Sequence, residues 1–377
     1  MLKHAGNNLS AIDQVANHLY QNRLPLKLAL GAYENYLASK PGSADAAFNY
    51  AYYLSKDGQF EKAVVSYQHA LKLGIDTPEE VHLNIANIFM DHLKDSEKAR
   101  THLKQALKLN PGYASAYYNL GNLSETEGNR DEAHRCFGQC LKLDPANESA
   151  LARLADAHIF VDEDEPLLAR LIVVAQNSRN PDVHFAIGRA YEKLAMFELA
   201  WQHFSRANQL DKPGFPTYRQ AETEAEFHRI SKQCSDQWLS RFKGLSDETV
   251  FICGMFRSGS TLLEQILAAH PRFVAGGESE FFPRLVAKEF RDYPDGLESL
   301  TTRKAHFWKA QHAEQSRKLF GDSNRVTDKR PDNFLYIGLI KAVLPSAKFV
   351  VTGRDWRDVA TSVYSTRLGP GQSYATS

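Results

Sequence analysis

One pattern of small residues recurs through the first half of the chain. Ala51, Ala86, Gly121, Ala155 and Gly188 return at intervals of about 34 residues. Ala63, Ala99, Ala133, Ala169 and Ala200 keep the same phase further along, and Ala70, Ala106 and Ala207 follow within the same units. Small side chains mark the places where packed segments must approach closely. Near residue 213 the pattern changes. Pro213, Pro216 and the charged segment 219–243 predict a polar, helix-rich linker over residues 213–246. It contains no glycine–serine tether, which predicts domains packed together rather than loosely strung. Beyond it, short runs at 250–253, 273–275, 325–327 and 347–353 read as strands separated by helical stretches, the first and the last of them as buried strands. That alternation predicts an α/β domain with a parallel sheet over residues 247–377.

The clearest unit is LNPGYASAYYNLGN at residues 109–122, with Pro111 and Pro145 closing two units. This block, with the period and the aligned small residues, resembles the tetratricopeptide repeat. Residues 10–43 fit a degenerate first unit, with Ala29, Tyr33 and Pro41 in phase, and the unit near 155–180 diverges, with 162–165 in its turn. About six units fill residues 10–212. The fold class is an all-α tetratricopeptide solenoid followed by the α/β domain. Stacked repeats bury a shared core and leave a concave groove. The resemblance implies that first helices line it, including Tyr50, Tyr53, Asn84, Asn87, Asn119 and Asn122, and that a protein or peptide occupies it. For the tyrosines, core packing is the alternative.

The densest chemistry lies at residues 251–267, FICGMFRSGSTLLEQIL. A strand ends in a turn carrying Gly254 and Gly259. Leu262, Leu263, Ile266 and Leu267 then recur at helical period. A strand, a glycine-bearing loop and a helix N-terminus direct free backbone N–H groups and the positive helix end at one spot. Arg257, Ser258, Ser260 and Thr261 add a cation and three hydroxyls, so the ligand is a phosphate or sulfate. The loop nearly matches G-x-x-x-x-G-K-[ST], but Ser260 stands where the lysine would reach the β- and γ-phosphates, which argues against an ordinary nucleoside triphosphate site.

A second segment, 354–362 (RDWRDVATS), follows the last strand. Arg354 stands at the C-terminal strand end, where open α/β sheets bind ligands, and Ser362 lies about two helical turns on. Together the two segments resemble the 5′-phosphosulfate loop and 3′-phosphate segment of sulfotransferases that use 3′-phosphoadenosine 5′-phosphosulfate (PAPS). Phe256, Ser260 and Trp356 depart from the family's usual residues. The resemblance implies PAPS as co-substrate, held by Arg257, Ser258, Gly259, Ser260 and Thr261 at one end and by Arg354 and Ser362 at the other, with no metal.

Sulfuryl transfer needs a base, cations for the transferring group and a stabilised leaving oxygen. The turn AGGESE at 275–280 resembles the corresponding stretch of protein-tyrosine sulfotransferases. There Glu278 falls on the catalytic glutamate and Arg284 on a substrate-site arginine, while Glu280 replaces an arginine. Small-molecule sulfotransferases use a histidine, which makes His270 the competing base, although a histidine in a last helical turn commonly caps carbonyls. Lys329, in TDKRPDN at 327–333, matches the family's leaving-group cation, with Arg257 assisting. Arg330 is a weaker candidate, and Asn333 is expected to open the next helix.

Composition narrows the partners. The chain has 377 residues, with 45 basic and 45 acidic side chains giving zero formal charge. That offers no footprint for nucleic acid or a membrane surface. No continuous apolar run approaches the about 18 residues of a spanning helix. The first residues, MLKHAGNNLSAIDQ, lack a signal-type apolar core, and the four cysteines form no metal or disulfide pattern. Together these predict a cytoplasmic protein. Sulfotransferase domains continue beyond the 3′-phosphate segment, so the second domain reads as incomplete. Two rivals stand beside the sulfotransferase: a nucleotide kinase with an altered loop, and a non-catalytic repeat scaffold carrying a relic nucleotide-binding domain. The acceptor and the oligomeric state are left open.

Overall fold

The structure, a computed structural model, describes residues 8–242, 249–321, 325–369 and 372–376. Residues 1–7, 243–248, 370–371 and 377, which fall in the expectations for the leader, the linker's end, the start of the second domain and the tail, lie outside the described residues. The chain divides into two compact units between His203 and Phe204.

Among the described residues, twelve α-helices between Leu9 and Asp211 form six helix–turn–helix pairs. They run Leu9–Gln21 with Lys27–Ser39, Ala44–Lys56 with Phe60–Lys72, Pro78–Ile88 with Ser96–Leu109, Ala114–Thr126 with Arg130–Leu143, Glu148–Ala157 with Pro166–Ala175, and Pro181–Lys193 with Phe197–Asp211. Polar caps start many of them: the side chains of Asn8, Ser43, Asp95, Asn129, Asn147 and Asn180 accept from first-turn amides. The in-phase Ala51, Ala63, Ala86, Ala99 and Ala133 are fully buried. At Gly121 a Cβ would lie 2.5 Å from the Phe137 ring, so glycine is required by the helix packing.

Two units accommodate irregularities. Thirteen positions separate Ala86 from Ala99, against twelve from Ala51 to Ala63. The π-helical turn Phe89–Leu93 absorbs the extra residue. In the fifth pair the turn runs from His158 to Glu165, and the second helix enters with altered phase. Ala169 is exposed there, contrary to its place in the repeat pattern, and Leu168 and Leu171 are buried instead. Tyr53 is buried and stacks on fully buried Tyr33, so it is a packing residue, whereas half-buried Tyr50 donates to Glu34 at 2.7 Å. Asn119 donates to Asn87 at 2.7 Å, linking adjacent first helices.

In the second unit, four parallel strands lie in the order β2-β3-β1-β4: β1 Val250–Gly254, β2 Phe273–Val274, β3 Arg325–Lys329 and β4 Lys348–Thr352. β1 is buried along its whole length. The unit's core gathers Phe251, Phe282, Phe290, Leu339 and Leu344, and it includes Trp238 and Phe242 from the segment read as linker. From the adjacent ends of β1 and β3 the chain departs in opposite directions, toward β2 and toward β4. A parallel sheet opens a ligand crevice at such a point.

One expectation fails here, and one helix forms as read but faces an unexpected way. The strand ending at Gly353 is not buried: β4 is the sheet's edge, with Val351 70% exposed, and Phe349 alone stacks on Phe251. The helix after the phosphate loop, Ser260–Ala268, does not bury its apolar stripe. It buries Ser260 and Glu264 and leaves Leu262 and Ile266 66% and 61% exposed.

Candidate functional site

The phosphate loop leaves β1 at Gly254, whose φ of +152° and contacts admit no side chain: a Cβ would lie 2.5 Å from both the carbonyl oxygen and the hydroxyl of Thr352. The loop therefore lies directly against the end of β4. Ser258, buried, shares a 2.6 Å hydrogen bond with the Thr352 hydroxyl. Gly259, at φ +98°, caps the helix Ser260–Ala268, and the first amides of a helix have no intrahelical acceptor. Ser260 is buried beneath this turn, while Thr261 is exposed.

Arg257 takes a left-handed conformation, φ +68°, which non-glycine residues seldom adopt. Its Nε donates to Ser362 Oγ at 3.0 Å. The loop and the segment 354–362, far apart in sequence, thus meet through these two side chains. Arg354 and Ser362 are not joined directly: Arg354 Nε reaches Asp358 at 3.4 Å on the exposed start of helix Trp356–Tyr364.

Beside β1, strand β3 runs on to Lys329, two residues further than expected, with Ile252 as its β1 neighbour. Lys329 is buried, and its Nζ donates to Glu278 at 2.8 Å, while half the Glu278 side chain is open to solvent. The structure thus joins the two residues read as base and leaving-group cation. Arg330 pairs with Glu280 and with Asp332. Arg284 lies exposed on helix Phe281–Glu289. His270 Nδ1 accepts from the Arg272 amide at 3.1 Å, a local turn contact.

Two buried carboxylates that the sequence reading passed over hold the Glu278 turn from either side. Glu264, on the phosphate-loop helix, accepts from the Gly277 amide at 3.0 Å and from the Thr327 hydroxyl at 2.7 Å. Asp328, on β3, accepts from Asn333 Nδ2 at 3.0 Å and from the Ser279 backbone. Burial pushes the Asp328 carboxyl up to about 7 against these hydrogen bonds. Asn333 does not open the next helix. It is buried within the 3-10 turn Pro331–Tyr336, where its amide meets Asp328. Gly276 completes the turn: a Cβ there would lie 2.1 Å from the Thr327 carbonyl, so the chain presses directly on β3. The amides on both sides of Glu278 are therefore tied to one element that carries the phosphate loop and another that carries Lys329.

A family model described as the sulfotransferase family matches residues 249–376, and tetratricopeptide models match residues 44–73, 93–128 and 114–147. An uncharacterized protein of Aquifex aeolicus is 27% identical over 305 residues, 77% of this chain and 39% of its own length. Protein-tyrosine sulfotransferase A of Caenorhabditis elegans is 22% identical over 192 residues, 44% of this chain and 47% of its own. Among solved structures, Pseudomonas aeruginosa PilF aligns with TM-score 0.45 and 21% identity over 55% of this chain and 93% of that chain. The chain spans between about a quarter and a half of the length of the curated relatives it matches first. No described helix is long and apolar enough to cross a membrane.

Proposed function

We propose that this chain, a tetratricopeptide array followed by a sulfotransferase-family domain, transfers a sulfuryl group from PAPS to a hydroxyl acceptor, with the array receiving a protein or peptide. The observation that carries the reading is the 2.8 Å contact between Lys329 and Glu278 at the ends of β1 and β3. A base and a cation held that close can serve the two ends of one transfer.

In this reading Glu278 takes the acceptor hydroxyl's proton as the acceptor oxygen forms its bond to sulfur. The bridging sulfur–oxygen bond to the 5′-phosphate breaks, and its electron pair stays on the phosphate oxygen. Lys329 and Arg257 face the charge that gathers there and on the peripheral oxygens. Lys329 serves only by turning from Glu278 toward the leaving oxygen, which also frees the carboxylate to act as base. The loop amides of residues 258–261 and the hydroxyls of Ser258, Ser260 and Thr261 suit the 5′ end. Arg354 and Ser362 suit the 3′-phosphate, with Arg257 bridging toward Ser362. The geometry fits such a two-ended anion: a cradle too tight for any side chain at Gly254 lies on the loop whose Arg257 reaches the Ser362 hydroxyl of the second segment.

The test is calorimetric titration with 3′,5′-adenosine bisphosphate, the product of PAPS, and with ATP–Mg²⁺ alongside. Binding of the bisphosphate alone supports the reading. Binding of ATP–Mg²⁺ alone overturns it in favour of a kinase. Binding of neither leaves this chain a repeat protein without a working cofactor site.

A further inference from the structure

The repeat array carries a cavity of about 500 Å³, lined by none of the residues used in the chemistry above. Its wall includes Arg130, Asp156, His158, Ile159, Arg189 and Lys193. It opens at the fifth repeat, where the turn from His158 to Glu165 is longer than its counterparts. That turn is a built wall. Glu165 accepts from the Val161 amide at 2.7 Å and meets His158 Nε2 at 2.5 Å, so its carboxylate is spent on shaping the turn.

The lining sets three cations against one carboxylate. Asp156 is engaged by Arg189 through a two-pronged contact, Nε to Oδ1 at 2.7 Å and Nη2 to Oδ2 at 2.8 Å. The fork fixes the guanidinium plane and leaves Nη1 unused by it. Lys193 Nζ donates to the carbonyls of His158 at 3.1 Å and Asp156 at 3.4 Å, contacts that satisfy hydrogen bonding without neutralising charge. Arg130 has no side-chain hydrogen bond or ion pair among the described residues. Burial, with the charges of Arg189 and Arg130, holds the Lys193 ammonium below its usual range against the pull of Asp156. Ile159, 77% exposed, supplies an apolar rim.

Asp156 and Arg189 follow the in-phase Ala155 and Gly188 as Asn87 and Asn122 follow Ala86 and Gly121. The cavity therefore continues the row of polar first-helix positions along which Asn119 already bridges to Asn87. A chain lying on that row reaches the cations. We infer that this cavity is a carboxylate-binding pocket that takes an acidic side chain of an extended peptide lying along the first helices. The inference rests on the reading of the array as a peptide-binding surface. Arg130 supplies a planar fork of donors for the carboxylate, Arg189 adds the Nη1 donors that Asp156 leaves unused, Lys193 adds a point charge, and Ile159 packs beside the peptide's neighbouring apolar side chain.

Fluorescence anisotropy on the full chain tests it, with a labelled, end-blocked peptide Gly-Ile-Glu-Gly-Ile-Glu-Gly and its glutamine counterpart as probes. The glutamate peptide should bind at least about tenfold more tightly, and Arg130→Ala should remove about tenfold of that affinity, the scale of one charge-assisted hydrogen bond. Arg130 is exposed and unpartnered, so this variant should fold normally. Lys142→Ala, an exposed cation outside the cavity, should change nothing. Equal binding of both peptides with Arg130→Ala silent overturns the pocket and leaves the array as a peptide surface. Binding of neither peptide overturns both. Arg130-dependent binding of inorganic phosphate, without binding of the acidic peptide, overturns the peptide assignment in favour of a free anion.

Discussion

Glu264 offers the sharpest test of how the Glu278 turn is held. Its carboxylate is 3% exposed, and one oxygen accepts both from the Gly277 amide at 3.0 Å and from the Thr327 hydroxyl at 2.7 Å. Glu264→Leu keeps the bulk and removes the acceptor. The Thr327 hydroxyl has a fallback in the Val274 carbonyl at 3.3 Å. The Gly277 amide has none among the described residues, and leaving this part-buried donor unpaired costs up to the about 1–3 kcal/mol of a fully buried one. Local opening of the turn should become easier by that amount. Since about 1.4 kcal/mol is tenfold in an equilibrium, exchange of the Gly277 amide hydrogen should quicken roughly five- to a hundredfold. Glu264→Gln keeps an acceptor oxygen and loses only the charge, so its effect should be smaller, about tenfold or less. Amides of the repeat array should not change in either variant. Hydrogen exchange read by mass spectrometry or NMR distinguishes these outcomes. If Gly277 exchanges at the original rate in Glu264→Leu, the turn is held by the Lys329 amide's 2.8 Å bond to the Gly277 carbonyl and by Asp328. The assignment of Glu264 as a positioning residue then fails.

Other outcomes follow from the same geometry. Gly121→Ala drives a methyl into the Phe137 ring and should destabilise the array by about 1–3 kcal/mol, seen as an earlier urea midpoint; an unmoved midpoint would show that the ring yields freely. His82 and His102 meet Nδ1 to Nδ1 at 2.8 Å, and His184 and His203 at 3.1 Å, so each pair shares one proton in its neutral state. Burial, aided by His82, holds His102 at about 4, and burial also lowers His82 and His203. A depressed histidine favours the fold while neutral, so array stability should be full above about pH 6.5 and fall as pH drops from there toward 4. Thermal melts across that range should show the loss, and His102→Phe should flatten it; an equal slope in both proteins refutes the pairing as its source. Glu278→Gln should cut turnover by roughly a hundredfold or more while sparing bisphosphate affinity. Arg354→Ala should do the reverse, and calorimetry of both variants separates base from anchor.

What the sequence disclosed, and what it withheld, divides along one physical line. The repeats were legible because Ala51, Ala86 and Ala99 serve the same packing need in each unit, and a need met repeatedly leaves a period. The period misled only where the backbone geometry changed. At Ala169 a longer turn enters the second helix in a new phase, whereas at Ala86 to Ala99 a π-turn absorbs the insertion and keeps the phase. The turn after β1 was legible for a different reason: Gly254 and Gly259 answer backbone demands that few other residues can meet.

The Glu264 and Asp328 contacts were illegible because they invert the rule used to read helices. An amphipathic helix is read with its apolar stripe turned inward. The helix Ser260–Ala268 turns Ser260 and Glu264 inward and Leu262 and Ile266 outward. It does so because the inward face meets the Gly277 amide and the Thr327 hydroxyl, donors that an apolar side chain would strand. Burying a carboxylate is costly unless it is hydrogen-bonded, and here both donors come from segments adjoining the proposed base and its cation. The same accounting explains Asn333, read as the opening of a helix and found buried against Asp328. These three buried polar side chains, Glu264, Asp328 and Asn333, thus all bear on the Glu278 turn. A polar residue at an apolar-phase position near a glycine turn is therefore the signal that would have found these residues. Their burial makes the turn's shape depend on hydrogen bonds that a single substitution can remove, which is why a rate at one amide can report on the whole arrangement.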